Sequence, residues 1–306
     1  MGGSTIIKSK GYLRKKGEPY FYIAPTMIWL LVFIIYPLIF AFVMAFKKFV
    51  LKRGLGFFDM PWIGFENFKT AFTDEYFLKS FWLTILIMLI AVTIEFIIGM
   101  IVANILSKKD IKWDFFWVAL IMSPLMLPLI ASGNLWRMLF DVRWGAINGL
   151  VMFFGREPID FLGTTDWALF SVIVVEIWQW TPFVIITLLA GFRSIPDEPK
   201  EAAVVDGANK WQIFRRVLLP MMSSQILIVL LIRSMDVIKT FDIVYALTFG
   251  GPGQSTTVST FYIYRQAFTQ FKLGYGSALS WIIFIFVYLV CFVIITIVKP
   301  RETSAV

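Results

Sequence analysis

The 306-residue chain has no histidine, one cysteine and only 16% charged residues. Each scarcity excludes some chemistry. Without histidine there is no His-based catalytic triad, no ordinary zinc site and no imidazole proton shuttle. The lone cysteine, Cys291, leaves no internal disulfide and no cysteine-held metal cluster. Set in an apolar run, it reads as a small hydrophobe. No Gly-x-x-x-x-Gly-Lys-Ser/Thr phosphate loop occurs, so the chain carries no ATP-binding motif of that type. Apolar residues, by contrast, make up 59% of the chain, against about 45–50% in soluble domains. They come in blocks, the pattern of membrane-spanning helices rather than of one large core.

Six blocks are long enough to cross a bilayer: roughly 21–46, 81–106, 115–140, 167–190, 221–241 and 277–298. A backbone in lipid must satisfy its own hydrogen bonds, so the expected fold class is all-α, a polytopic membrane protein with six transmembrane helices. The first block is too long for the apolar core of a signal peptide and reads as a retained span. Pro124 and Pro128 in the third block, and Pro182 in the fourth, predict bends or breaks. Placing the N-terminus inside puts 15 basic residues over 65 positions in the cytoplasm, against 10 over 89 outside. That bias orients both termini inward, although Lys47, Lys48, Lys52 and Arg53 crowd the outer end of the first block. The formal charge of +8 then reads as topology and attraction to anionic membrane lipid, with no nucleic-acid partner.

Between the fourth and fifth blocks lies a polar island, EAAVVDGANKWQIFRRVLLP at 201–220. Ser194-Ile195-Pro196 starts it with a fixed turn, and Asp197 and Glu198 suit the first turn of a helix. Gly207 can adopt positive φ and end that helix, and Asn209 can cap a second one. The island, with Glu201, Ala202, Ala203, Asp206, Gly207, Leu219 and Pro220, resembles the coupling motif of permease subunits in binding-protein-dependent ABC importers. Within that family it looks most like the carbohydrate branch (maltose, glycerol-3-phosphate and lactose types). FDIVYALTFGGP at 241–252, GFENF at 64–68 and LGYGSALS at 273–280 are further likenesses. One departure is Met221-Met222-Ser223-Ser224, where many members carry another proline.

The resemblance implies a non-catalytic subunit in a bacterial or archaeal cytoplasmic (inner) membrane, with three regions. These are a basic tail at 1–20, a transmembrane domain at 21–300 with its coupling loop at 191–220, and a short tail at 301–306. It implies four kinds of partner: membrane lipid, a second homologous permease, two ATPase subunits and an extracytoplasmic substrate-binding protein. ATP and Mg²⁺ would sit on the ATPases, with no cofactor on this chain. The named coupling residues would then form a cytoplasmic helix docked on the ATPase.

Several polar residues fall inside apolar blocks. Arg233, Asp236, Lys239 and Asp242 recur every third position near the fifth block, and Glu95, Asn134, Arg137, Glu176 and Gln179 lie in others. A charge at a helix centre costs about 2.5–3.5 kcal/mol on insertion scales, so exposure of several to lipid is disfavoured. They either face a watery substrate pathway or bond to one another between helices. Trp136, Trp178 and Trp180 suit interface anchors better than sugar-stacking platforms. Two other functions compete with a permease subunit, namely an ion-coupled carrier acting alone and a polytopic membrane transferase using carboxylates.

Overall fold

A computed structural model describes residues 20–49, 59–108 and 113–298. The basic N-terminal tail up to residue 19, Lys52 and Arg53, and the C-terminal tail lie outside the described residues. In chain order the main helices are α1 (Tyr20–Ala45), α2 (Glu66–Thr73), α3 (Glu75–Leu106), α4 (Asp114–Met122), α5 (Leu129–Leu139), α6 (Ala146–Phe153) and α7 (Thr165–Ser194). There follow α8 (Glu198–Val205), α9 (Lys210–Ile213), α10 (Leu219–Met221), α11 (Ser223–Ile238), α12 (Asp242–Leu247), α13 (Ser259–Tyr264) and α14 (Leu273–Ile297). Among the described residues there is no strand, and the expected all-α class holds.

Four helices, α1, α3, α7 and α14, are each long and apolar enough to cross a membrane. Two bent pairs bring the number to six if each pair is one span. One pair is the third predicted block, where the segments on either side of Leu127 meet at 95°. Pro124 opens a 3₁₀ turn over Ser123–Met126, and Leu127 is extended (ψ 133°), as a residue before proline prefers. The other pair joins the Lys210–Met221 segment to α11 at 70°. The fifth block thus starts as a bent helix, broken at Met222. Of the bend or break expected at Pro182, there is no break: α7 runs continuously from Thr165 to Ser194. Beside that proline, the Thr181 hydroxyl donates to the Ile177 carbonyl at 2.6 Å.

The chain forms two compact units. One comprises residues up to 70 together with 266–281; the other holds 71–265 and the residues from 282 onward. In the first, GFENF works as a clasp. Asn67 donates to the Ala45 carbonyl at the end of α1 (2.8 Å), while Trp62, Phe65 and Phe68 surround the Phe46 ring. Gly274 of LGYGSALS lies so close to the Lys47 carbonyl that a side chain there has no room. In the second unit α3 and α7 form the main helix pair. Gly99 admits Val184 against the α3 backbone. A core of Met100, Ala103, Val184, Leu188, Phe192, Met222 and Val229 ties α3, α7 and α11 together.

Candidate functional sites: a buried charge cluster and an exposed helical elbow

The α3, α7 and α11 helices each send one charged side chain into the same buried volume. Arg233 is fully buried. Its Nε donates to Glu95 Oε2 at 2.7 Å and its Nη2 to Glu95 Oε1 at 2.8 Å. Nη2 also donates to Glu176 Oε1 at 3.0 Å. The second oxygen of Glu176 accepts from the Thr240 hydroxyl, and the Trp180 ring lies 4.7 Å from the guanidinium carbon. The planar fork of arginine matches a carboxylate at two points, a geometry lysine cannot reproduce. Bringing these charges together relieves the cost of placing each alone in an apolar helix. By formal charge two carboxylates face one guanidinium, so loss of Arg233 leaves both without a counter-charge.

Gln179, one turn from Glu176, has a separate task. Its amide donates to the Pro124 carbonyl (2.8 Å) and the Leu127 carbonyl (3.3 Å). These belong to the break between the two helical segments of the third predicted block, where the backbone has left the helical ladder. A buried side chain thus supplies a donor where the prolines removed one.

The polar residues expected along a pathway therefore divide. Glu176, Gln179 and Arg233 are buried. They bond to neighbouring helices, the same arrangement that takes up Glu95. Asn134 and Arg137 are exposed on α5, and Asp242 is half-buried at the start of α12. Asp236 is half-buried and pairs with Lys239 at 3.4 Å. Trp136 and Trp178 pack edge to face at 5.4 Å.

The segment after α7 is built differently. Helix α8 has no buried residue. Glu201, Ala202, Val204, Val205 and Asp206 are exposed, Val205 by 87%. Its end is a Schellman closure: Ala208 N–H donates to the Ala203 carbonyl and Gly207 N–H to the Val204 carbonyl. Gly207 has φ +77°, the left-handed conformation that glycine adopts without a Cβ penalty. Asn209 then opens α9 with a capping box. Its side chain accepts from Gln212 N–H (2.9 Å), and the Gln212 side chain accepts from Asn209 N–H (2.8 Å). Phe214–Leu218 form a π turn leading into α10, with Leu219 and Pro220 at its start. The result is an elbow closed by these caps, with exposed Val204 and Val205, lying in the chain between α7 and α11, two of the three helices that hold the charge cluster.

Residues 95–303 match the family described as the binding-protein-dependent transport system inner membrane component. The trehalose/maltose transport system permease protein MalF of Thermococcus litoralis is 32% identical over 285 residues, covering 92% of this chain and 93% of that protein. The sulfoquinovosyl glycerol transport system permease protein SmoG of Agrobacterium fabrum is 33% identical, covering 92% and 90%. A solved bacterial ABC transporter that imports the acidic polysaccharide alginate shares the fold. Its TM-score is 0.79 at 23% identity, covering 95% of this chain and 99% of that chain. Family, length and fold agree: this chain belongs to the permeases of binding-protein-dependent ABC transporters, as a non-catalytic membrane subunit.

Proposed function

We propose that the chain forms half of the translocation pathway of an ATP-driven importer for a sugar, an oligosaccharide or a related polyol. It spans the membrane six times, counting each bent pair as one span, with both termini in the cytoplasm. A second homologous permease completes the pathway. An extracytoplasmic binding protein delivers the cargo, and two ATPase subunits hold ATP and Mg²⁺. In this scheme residues 21–300 are the transmembrane domain, flanked by the tails at 1–20 and 301–306.

The observation that carries the proposal is the elbow at 198–221. A helix with no buried residue, closed at one end by Gly207 and followed by a second capped helix, is a ready-made insert for a partner's groove. Glu201 offers a charge to that partner, and Ala202 and Ala203 permit close approach. Asp206 and Gly207 fix the exit, while Leu219 and Pro220 transmit displacement into α11. ATP-driven closure of the partner moves the elbow, and the helices gripped by the charge cluster follow it. Asn134, Arg137, Asp236 and Asp242 are the pathway candidates that stay accessible.

The test is ATP-driven uptake in proteoliposomes with Glu201→Lys and Gly207→Val. Uptake falls in both variants, and the ATPase subunits co-purify poorly. Wild-type uptake and wild-type co-purification in both variants contradict the assignment.

A further inference from the structure

Between the last turns of α3 and the start of α9 lies a cavity of about 440 Å³, lined by Met100, Ile101, Asn104, Lys210, Trp211 and Phe214. Its walls are apolar apart from Asn104 and Lys210. Phe214 packs against the core that ties α3, α7 and α11 together, and Trp211 stacks on its ring at 5.7 Å. Trp211 is nevertheless 65% exposed. Along α3, Ile94, Ile98, Ile101 and Ile105 are exposed. Their spacing of four, three and four sets them in one stripe on the helix. The stripe belongs to a helix long and apolar enough to cross the membrane, and Ile101 carries it into the cavity.

The elbow beside this cavity is basic. From Gly207 to Met235 the chain holds no aspartate or glutamate, but it does hold Lys210, Arg215, Arg216 and Arg233. Arg233 is taken by Glu95 and Glu176. The other three are exposed, and among the described residues none of them pairs with a carboxylate. The capping box at Asn209 fixes the start of α9 at Lys210, and the π turn Phe214–Leu218 carries both arginines. Spare cations, an exposed tryptophan and an aliphatic stripe meet in this way at the boundary between membrane and water. An acyl chain suits the stripe and the apolar walls, and an anionic headgroup supplies the missing counter-charge.

We propose that this cavity is a binding site for one anionic phospholipid of the cytoplasmic leaflet. Lys210 meets the headgroup phosphate, and Arg215 and Arg216 in the following turn add to the local positive potential. The acyl chain lies over Ile101 and Met100 against Trp211 and Phe214. The lipid thereby tethers the second half of the elbow to the membrane surface, leaving α8 free for its partner. The inference rests on the permease reading above, including the topology that puts this end of α3 at the cytoplasmic face.

The test uses the assembled complex in phosphatidylcholine nanodiscs doped with one of two quenchers, phosphatidylglycerol or phosphatidylcholine, each brominated on its acyl chains. The readout is the tryptophan quenching that disappears in Trp211→Phe. In the native complex, brominated phosphatidylglycerol reaches half-maximal quenching at an about fivefold lower membrane fraction than brominated phosphatidylcholine, the preference that one juxtamembrane cation confers. That preference is lost in Lys210→Gln/Arg215→Gln/Arg216→Gln, is kept in Lys210→Arg, and survives inorganic phosphate at matched ionic strength. Equal quenching by the two lipids in the native complex overturns the proposal. So does a Trp211 signal that neither lipid quenches, because a protein subunit then covers the cavity. A preference unchanged in the glutamine variant also overturns it, as does one abolished by inorganic phosphate, the mark of a soluble-anion site. Where the triple variant does not assemble, Lys210→Gln alone is read in the same way. Failure of the permease reading shows separately, as a native complex whose ATPase ignores its binding protein.

Discussion

Arg233 grips Glu95 at two points, 2.7 and 2.8 Å, although 138 positions separate them in the chain. The pair crosses from α11 to α3, and the same guanidinium reaches Glu176 on α7. Three helices are therefore joined at one buried point. In the proposed scheme, motion at the elbow reaches α7 and α11, which flank it in the chain, and this junction links both to α3.

Removing the guanidinium leaves two carboxylates facing each other without a counter-charge. Arg233→Met lowers the thermal midpoint of the purified complex, in line with the cost of about 3–5 kcal/mol for breaking a buried pair. Arg233→Lys recovers only part of it, because the two-point geometry is lost. Adding Glu95→Gln to Arg233→Met recovers stability relative to Arg233→Met alone, and a double-mutant cycle on unfolding midpoints checks this coupling.

Gln179→Leu removes the side-chain donor shared by the Pro124 and Leu127 carbonyls at the break in the third predicted block, and Pro124 keeps only the Leu127 N–H at 3.2 Å. The expected loss is about 1–3 kcal/mol, the penalty for a buried polar group without its partner. Hydrogen exchange then rises around 124–129, while exchange in α8 stays unchanged.

Gly207→Val forces a β-branched residue to φ +77°. No atom lies near enough to meet the new Cβ, so the cost is conformational, about 1–2 kcal/mol. Gly207→Asn costs less, since asparagine tolerates the left-handed region. Uptake follows the order Gly, Asn, Val, while the melting midpoint of the membrane-embedded core changes little.

Asp141 closes the turn after α5 by accepting from the Arg143 and Trp144 backbone N–H groups at 2.8 and 2.9 Å. Those two donors hold its carboxyl below the usual carboxylate range. A depressed folded value means the turn's stabilisation is present above the unfolded carboxylate pKa and is lost as pH falls through the folded one. The protection factors of the backbone amides at 143 and 144 therefore stay constant near neutrality and fall in strong acid. Asp141→Ala loses the protection at every pH, and Asp141→Asn keeps most of it.

Much of this architecture was legible from local chemistry. Span positions followed from apolar blocks, the third-span break from Pro124 and Pro128, and the elbow from Gly207 and Asn209. These signals act within a few residues, so sequence exposes them directly. Whether Pro182 would bend α7 or break it was not legible, because neighbouring side chains decide whether a proline breaks a helix; the helix is continuous there. Nor was the partner of Arg233: periodicity along α11 suggests Asp236, one turn away, but packing brings Glu95 and Glu176 from distant spans. Gln179 was readable as a buried polar group, not as the cap of a break more than fifty residues earlier.

The central claim is that the elbow between α7 and α11 is held by an ATPase subunit in the cytoplasm. The lone Cys291 makes a direct measurement simple: Val205→Cys in a Cys291→Ser background places a single thiol at the exposed tip of α8. In inside-out vesicles containing the whole complex, this thiol cross-links to the ATPase subunit, with a yield that changes when ATP is added. It resists impermeant thiol reagents applied to intact cells. Labelling from the outer face, or cross-linking that never reaches the ATPase, contradicts the account.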